Sequence, residues 1–291
     1  MKNLKLIALM MLIANMMFAQ NQTEYFAPEP RDEVPTEEEE TNADKRNTFV
    51  GHGTGLNSTI GNKNTFLGYK AGLNAAGANN SFFGAYAGMN SIKGGNMAFG
   101  TYALEYNELG KNNIAIGNNA ARYANGGHNN ITIGSSAGKE NYGGNNNICL
   151  GLAAGYWTSG DNNVFIGYYA GVNESLIDAN DQLYIQNSSD VETPLIYGDF
   201  ADKQVGIGTS DVGIYTLAVK GHMVAEEVTI KSYTTGWADY VFAEDYDLMP
   251  LTELEKEIEK LGHLPEVPSA EEVNENGYKV GEMDVTLLKK V

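Results

Sequence analysis

Side chains that could do covalent or metal chemistry are few in this chain and poorly spaced for it. A single cysteine, Cys149, has no partner for an intrachain disulfide, and no base recurs beside it to make a thiolate nucleophile. The four histidines, His52, His128, His222 and His263, fit neither C-x-x-C nor H-E-x-x-H spacing, so no metal is expected. Hydrolysis would need paired carboxylates, yet between residues 47 and 172 the acids are Glu105, Glu108, Glu140 and Asp161, which suit a solvated face. Calcium repeats want aspartate in a G-G-x-G-x-D frame, and an ice-ordering face wants threonine at one register; neither recurs. The expectation is a protein with no catalytic residues and no cofactor.

Charge narrows the partners. Across 291 residues, 37 acidic side chains face 19 basic ones, a net charge of −18 that repels nucleic acid. The 34 glycines argue against an ordinary helical enzyme.

The ends carry different signals. Lys2 and Lys5 precede an apolar run from Leu6 to Phe18, and Ala19 offers a small residue for cleavage, so residues 1–19 read as a secretory signal peptide. As a membrane anchor the run would rise only about 20 Å as a helix, short of the roughly 30 Å hydrocarbon core. No later apolar stretch reaches spanning length, so the mature chain is expected to be exported without a transmembrane helix. Residues 20–46 hold Pro28, Pro30, Pro35 and four consecutive glutamates from Glu37 to Glu40, the composition of an acidic, disordered spacer.

The elements that position everything else come from a repeat. Gly51, Gly68, Gly84, Gly100, Gly117, Gly134, Gly151 and Gly167 are separated by 17, 16, 16, 17, 17, 17 and 16 residues. Four residues before each stands an asparagine: Asn47, Asn64, Asn80, Asn96, Asn113, Asn130, Asn147 and Asn163. A large apolar residue precedes each glycine, and alanine follows three residues later except in the first copy, which has Thr54. The spacing is too short for a helix and suits one β-strand and a corner, so each copy predicts one coil of a parallel β-solenoid. Eight coils at about 4.8 Å would make a rod of roughly 38 Å carrying asparagine and glycine ladders of structural role.

Strand residues one and three before glycine share a face, and the residue between them lies on the other. With the first pair placed inside, the middle residues Phe49, Phe66, Phe82, Ala98, Ala115, Thr132, Cys149 and Phe165 form an outward apolar stripe. Such a stripe asks for cover by other copies of the chain, which makes Phe49, Phe66, Phe82 and Phe165 the candidate trimer interface. Tyr69, Tyr86, Tyr168 and Tyr169 are candidate outward contacts.

Asn130-Ile131-Thr132-Ile133-Gly134-Ser135-Ser136-Ala137-Gly138 and Asn163-Val164-Phe165-Ile166-Gly167-Tyr168-Tyr169-Ala170-Gly171 resemble the head repeats of trimeric autotransporter adhesins of the YadA type. In that family three chains bundle as left-handed parallel β-rolls, so the resemblance, over residues 47–172, implies a homotrimer. The coils here are longer than the family's, and no membrane-anchor barrel is visible at the carboxy end.

Residues 173–236 read as a β-rich neck, with strands expected at Leu183–Ile185, Leu195–Tyr197, Val205–Ile207 and Leu217–Val219. Parts of it, such as Val205-Gly206-Ile207-Gly208-Thr209, resemble phage tail-fibre shafts and fibre-like bacterial surface proteins. Residues 237–291 predict a small α+β module. Leu251, Leu254, Ile258 and Leu261 have helical spacing behind a Thr252-x-x-Glu255 capping box. A second box, Ser269-x-x-Glu272, leads to a stop at Asn276-Gly277, and Met283, Leu287 and Val291 suggest the start of a coiled coil.

The whole describes a mainly β, homotrimeric exported fibre without enzymatic activity. It would act as a cell-surface adhesin or structural projection, engaging an unspecified surface receptor by multivalent contacts. The alternative is the receptor-binding tail fibre of a phage-like injection device, which the export signal opposes.

Overall fold

The computed structural model describes residues 46–58, 61–231 and 237–290. The expected signal peptide and all of the acidic spacer except Arg46 lie outside them. The chain divides into two compact units, one ending at His222 and one beginning at Met223.

The first unit is a parallel β-solenoid of eight coils. Each coil contributes one three-residue strand: β1 Thr48–Val50, β2 Thr65–Leu67, β3 Ser81–Phe83, β4 Met97–Phe99, β5 Ile114–Ile116, β6 Ile131–Ile133, β7 Ile148–Leu150 and β8 Val164–Ile166. Neighbours pair in parallel and in order, so each repeat position stacks on its counterpart, as in Phe49 on Phe66 and Phe66 on Phe82. The sheet continues without a break beyond the last coil. β9 (Gln182–Ile185) pairs in parallel with β8, β10 (Ile196–Asp199) and β11 (Gln204–Ile207) add antiparallel, and β12 (Leu217–Val219) pairs in parallel with β11.

The strand face that turns inward is the reverse of the one expected from sequence. The middle residues form the core: Phe66, Phe82, Ala98, Ala115, Thr132, Cys149 and Phe165 are fully buried within the single chain, and Phe49 packs against them at the first coil. Phe49, Phe66 and Phe82 stack ring on ring with centroids 4.8 Å apart. They are not an interface. With the middle side chain inward its two neighbours point outward, and the core it enters is lined by alanines, Ala71 to Ala170 in step, each with no exposed surface. The space between is one flat side chain wide.

The strand residue and the corner residue share that space. Where the middle residue is Phe66, Phe82 or Phe165, the residue four after the ladder glycine is Gly72, Gly88 or Gly171, whose missing Cβ would sit 2.3–2.4 Å from the ring. Where the middle residue shrinks to Ala98 or Ala115, that place is held by Leu104 or Ala121, both in the left-handed region at φ 52 and 47. Leu104 thus occupies the interior that a phenyl ring fills in other coils.

The second unit holds a 3-10 turn at Ala238–Phe242 and helices α1 (Leu251–Leu261), α2 (Ala270–Asn276) and α3 (Val280–Leu288). The first expected capping box does not form: α1 starts after Pro250 with no side-chain cap, because proline at that position already sets a turn into the helix. The second box forms in full between Ser269 and Glu272, and α2 stops at Gly277. Among the described residues of this unit, Val285 of α3 and Ala238 are the buried apolar ones.

The paired filling of the core predicts strong coupling. Phe82→Ala should cost about 3–5 kcal/mol through the cavity it leaves, and Gly88→Leu should destabilise by collision with the Phe82 ring. The double variant copies the Ala98 and Leu104 pair and should recover most of both losses, seen as strong non-additivity in thermal melts.

Candidate functional site

Three sets of repeated side chains are candidates for function: the two ladders, the outward strand face, and the turns that follow the strands.

The asparagine ladder is buried and closed on itself. Each side-chain carbonyl accepts a bond from the backbone N–H of the next asparagine, from Asn47 Oδ1 to Asn64 N at 2.8 Å through Asn147 Oδ1 to Asn163 N at 2.8 Å. Asn64, Asn80, Asn96, Asn113 and Asn130 supply the intervening steps at 2.8–3.0 Å, and Asn163 hands the ladder to Gln182 N of β9. Most of the amide groups also donate to a backbone carbonyl of the following coil, as Asn113 does to Gly127 at 2.7 Å. Asn80 is the exception, its Nδ2 buried without a partner.

The glycine ladder runs beside it. Gly51, Gly68, Gly84, Gly100, Gly117, Gly134, Gly151 and Gly167 all have φ between 119 and 139, a region that side chains resist. A Cβ at Gly68 would lie 2.6 Å from the Gly84 carbonyl oxygen, and the same contact recurs up the stack. Both ladders therefore spend their polar and backbone chemistry on neighbouring coils.

Cys149 lies fully inside the coil, and burial pushes its thiol from about 9.0 up to about 12. It is a packing residue, with Gly155 against its sulfur. Among the described residues no group of His, Cys, Asp or Glu is arranged to hold a metal.

With the middle residues inside, the outward face of the sheet is formed by their neighbours. Val50, Leu67, Met97, Phe99 and Ile133 are exposed, while Phe83, Ile114, Ile116, Ile131, Ile148, Leu150, Val164 and Ile166 are half-buried. Phe83 and Phe99 stack there at 5.9 Å. The ladder of large apolar residues directly before each glycine thus lines the solvent side.

The turns carry the aromatic side chains. Of the four expected outward tyrosines, Tyr69 and Tyr168 are exposed and Tyr86 and Tyr169 half-buried. Tyr86 stacks on Tyr102 at 5.1 Å, and Tyr168 tilts onto Tyr169 at 4.5 Å. A larger group gathers on coils four to seven, on residues five and six after the ladder glycines: Glu105-Tyr106, Arg122-Tyr123, Lys139-Glu140 and Tyr156-Trp157. The Arg122 guanidinium sits 4.4 Å from the Tyr102 ring centre and 5.1 Å from that of Tyr123. It also pairs with the buried Glu105 at 2.5 Å, and burial holds the Glu105 carboxyl above its ordinary range despite that pairing. Lys139 donates to the Tyr156 hydroxyl at 2.8 Å, and that hydroxyl reaches Glu140 at 3.4 Å. Tyr106 stacks on Tyr123 at 5.3 Å, and Trp157 stands edge-on to Tyr156. The Tyr142 hydroxyl is raised above the usual phenol range by burial and then by Glu140, Tyr123 and Tyr156, which places it beside this group. Glu105, expected on a solvated face, is instead buried against Arg122, and no one residue type recurs at the turn positions of all four coils, so the sequence shows no register for the aromatic group.

Compared with protein-family models, curated proteins and solved structures, the chain matches none of them.

Two measurements check this account. Cys149 should resist alkylation at pH 8 in the folded protein and react fully in denaturant. Because its folded value lies above the unfolded one, its contribution to stability is intact below about pH 9 and is lost as pH rises towards about 12. Asn113→Ala should orphan the Asn130 N–H and the Gly127 carbonyl, at about 1–3 kcal/mol for each, read as a lower denaturation midpoint.

Proposed function

We propose that the chain is the protomer of a non-enzymatic, exported homotrimeric fibre that serves as a cell-surface adhesin or projection. The observation that carries this reading is the outward face of the solenoid sheet. Eight parallel strands present two side chains each to solvent, and from Met97 to Ile166 every one of them is apolar. Phe99 is 58% exposed and Leu67 45%. A soluble monomer rarely leaves a continuous apolar strip of this length open, and a flat ladder repeated at one period is self-complementary by construction.

The interface in this reading is built from the residues that flank the core position. The likeness of the repeat to YadA-type heads supports three copies around such a face. Rigid coils would hold the turns of each copy at fixed spacing, so that weak contacts to a surface add by avidity. Among the described residues no helix is long and apolar enough to cross a membrane, which is compatible with an exported fibre.

Light scattering on the chain after removal of residues 1–19 should give the mass of three protomers. Leu67→Asp with Phe99→Asp should reduce it to one protomer while the β circular dichroism signal persists, since both side chains point away from the core. A monomeric wild-type chain would overturn the trimer.

A further inference from the structure

We propose that the aromatic patch on the turns of coils four to seven binds an extended, neutral polysaccharide. This gives the adhesive reading a ligand class, and the patch itself is complete within one chain.

Two rings supply platforms. Tyr142 is 61% exposed and makes no ring–ring contact among the described residues, and Trp157 is 39% exposed and stands at 79° to the Tyr156 ring, so the two rings do not cover each other by stacking. Apolar faces of pyranose rings pack on such surfaces, while the polar tip of Tyr and the indole N–H remain available to hydroxyls. Between and beside the platforms stand groups that bond hydroxyls from both directions: the Lys139 ammonium, the Tyr156 hydroxyl and the Glu140 carboxylate.

Charge selects the class. The patch holds two cations and two carboxylates, and they are already matched, Arg122 to Glu105 and Lys139 to Glu140 through Tyr156. An anionic polymer would find no surplus positive charge there and would approach a chain of net charge −18. A hydroxyl-rich neutral chain meets neither penalty. Geometry selects a polymer. The coils recur at about 4.8 Å, comparable to one pyranose of an extended chain, so a glycan lying along the solenoid meets a ring or a hydroxyl-bonding group on each successive coil, from Tyr106 through Tyr123 and Glu140 to Trp157. Tyr106 and Tyr123 are braced by stacking on each other at 5.3 Å, so those two rings lose little side-chain freedom on binding.

The test uses the full chain in affinity electrophoresis through gels containing hydroxyethylcellulose, galactomannan or polygalacturonate. It is paired with a fluorescence titration of Trp157 in a Trp237→Phe background, using cellohexaose and mannohexaose. Retardation is expected in at least one neutral gel, with a Trp157 emission change for the matching oligosaccharide. Tyr142→Ala with Trp157→Ala should weaken retardation at least ten-fold at unchanged melting temperature, and Tyr142→Phe should keep most of it. Retardation by polygalacturonate alone, by no glycan, or undiminished in the alanine pair would each overturn the proposal. Binding by a protein of monomeric mass would remove the trimer and leave the glycan site standing.

Discussion

The width of the coil interior constrains everything else in the solenoid. One inward side chain from a three-residue strand meets a wall of alanines, and the corner that closes the coil passes so near that its backbone must be glycine whenever the strand supplies a phenyl ring. A packed interior tolerates neither a void nor an overlap of this size. Coil four moves bulk from the strand to the corner, Leu104 standing in for a ring beside Ala98. The period can therefore stay at 16 or 17 residues while core residues change identity.

Polar chemistry follows the same axis. Buried asparagine carbonyls accept from the next coil's backbone, and most of the amides donate to it, so groups that would be costly to bury alone are satisfied by the neighbouring coil. That arrangement makes the coils depend on one another and leaves Asn80 Nδ2, itself buried, as the one side-chain group of the asparagine ladder without a partner among the described residues. The chemistry able to meet a partner is displaced outward, to the strand flanks and the turns. The flanks are apolar and repetitive, whereas the turns carry rings, cations and carboxylates that vary from coil to coil.

Several features could be read before any coordinates. The recurrent Asn-x-x-x-Gly spacing was enough for eight strands and their order, and the strands at 183–185, 205–207 and 217–219 were visible as short apolar runs between turn residues. Ser269 and Glu272 announced a cap that forms. Thr252 and Glu255 announced one that does not, since Pro250 takes the entry to the helix. The aromatic patch was not legible, because Tyr106, Tyr123, Tyr142 and Trp157 come from different coils and meet only when those coils stack.

The sequence by itself determined the period, the parallel stacking and the residues that alternate between two faces, because these depend on local spacing and on what glycine and asparagine can do to a backbone. Tertiary structure alone decided which face is inside. Alternation distinguishes the two sides of a strand but carries no sign when both are apolar. The sign is set by the room left between the strand and the alanine wall opposite, which holds the single ring of Phe66 and not the pair of side chains that flank it.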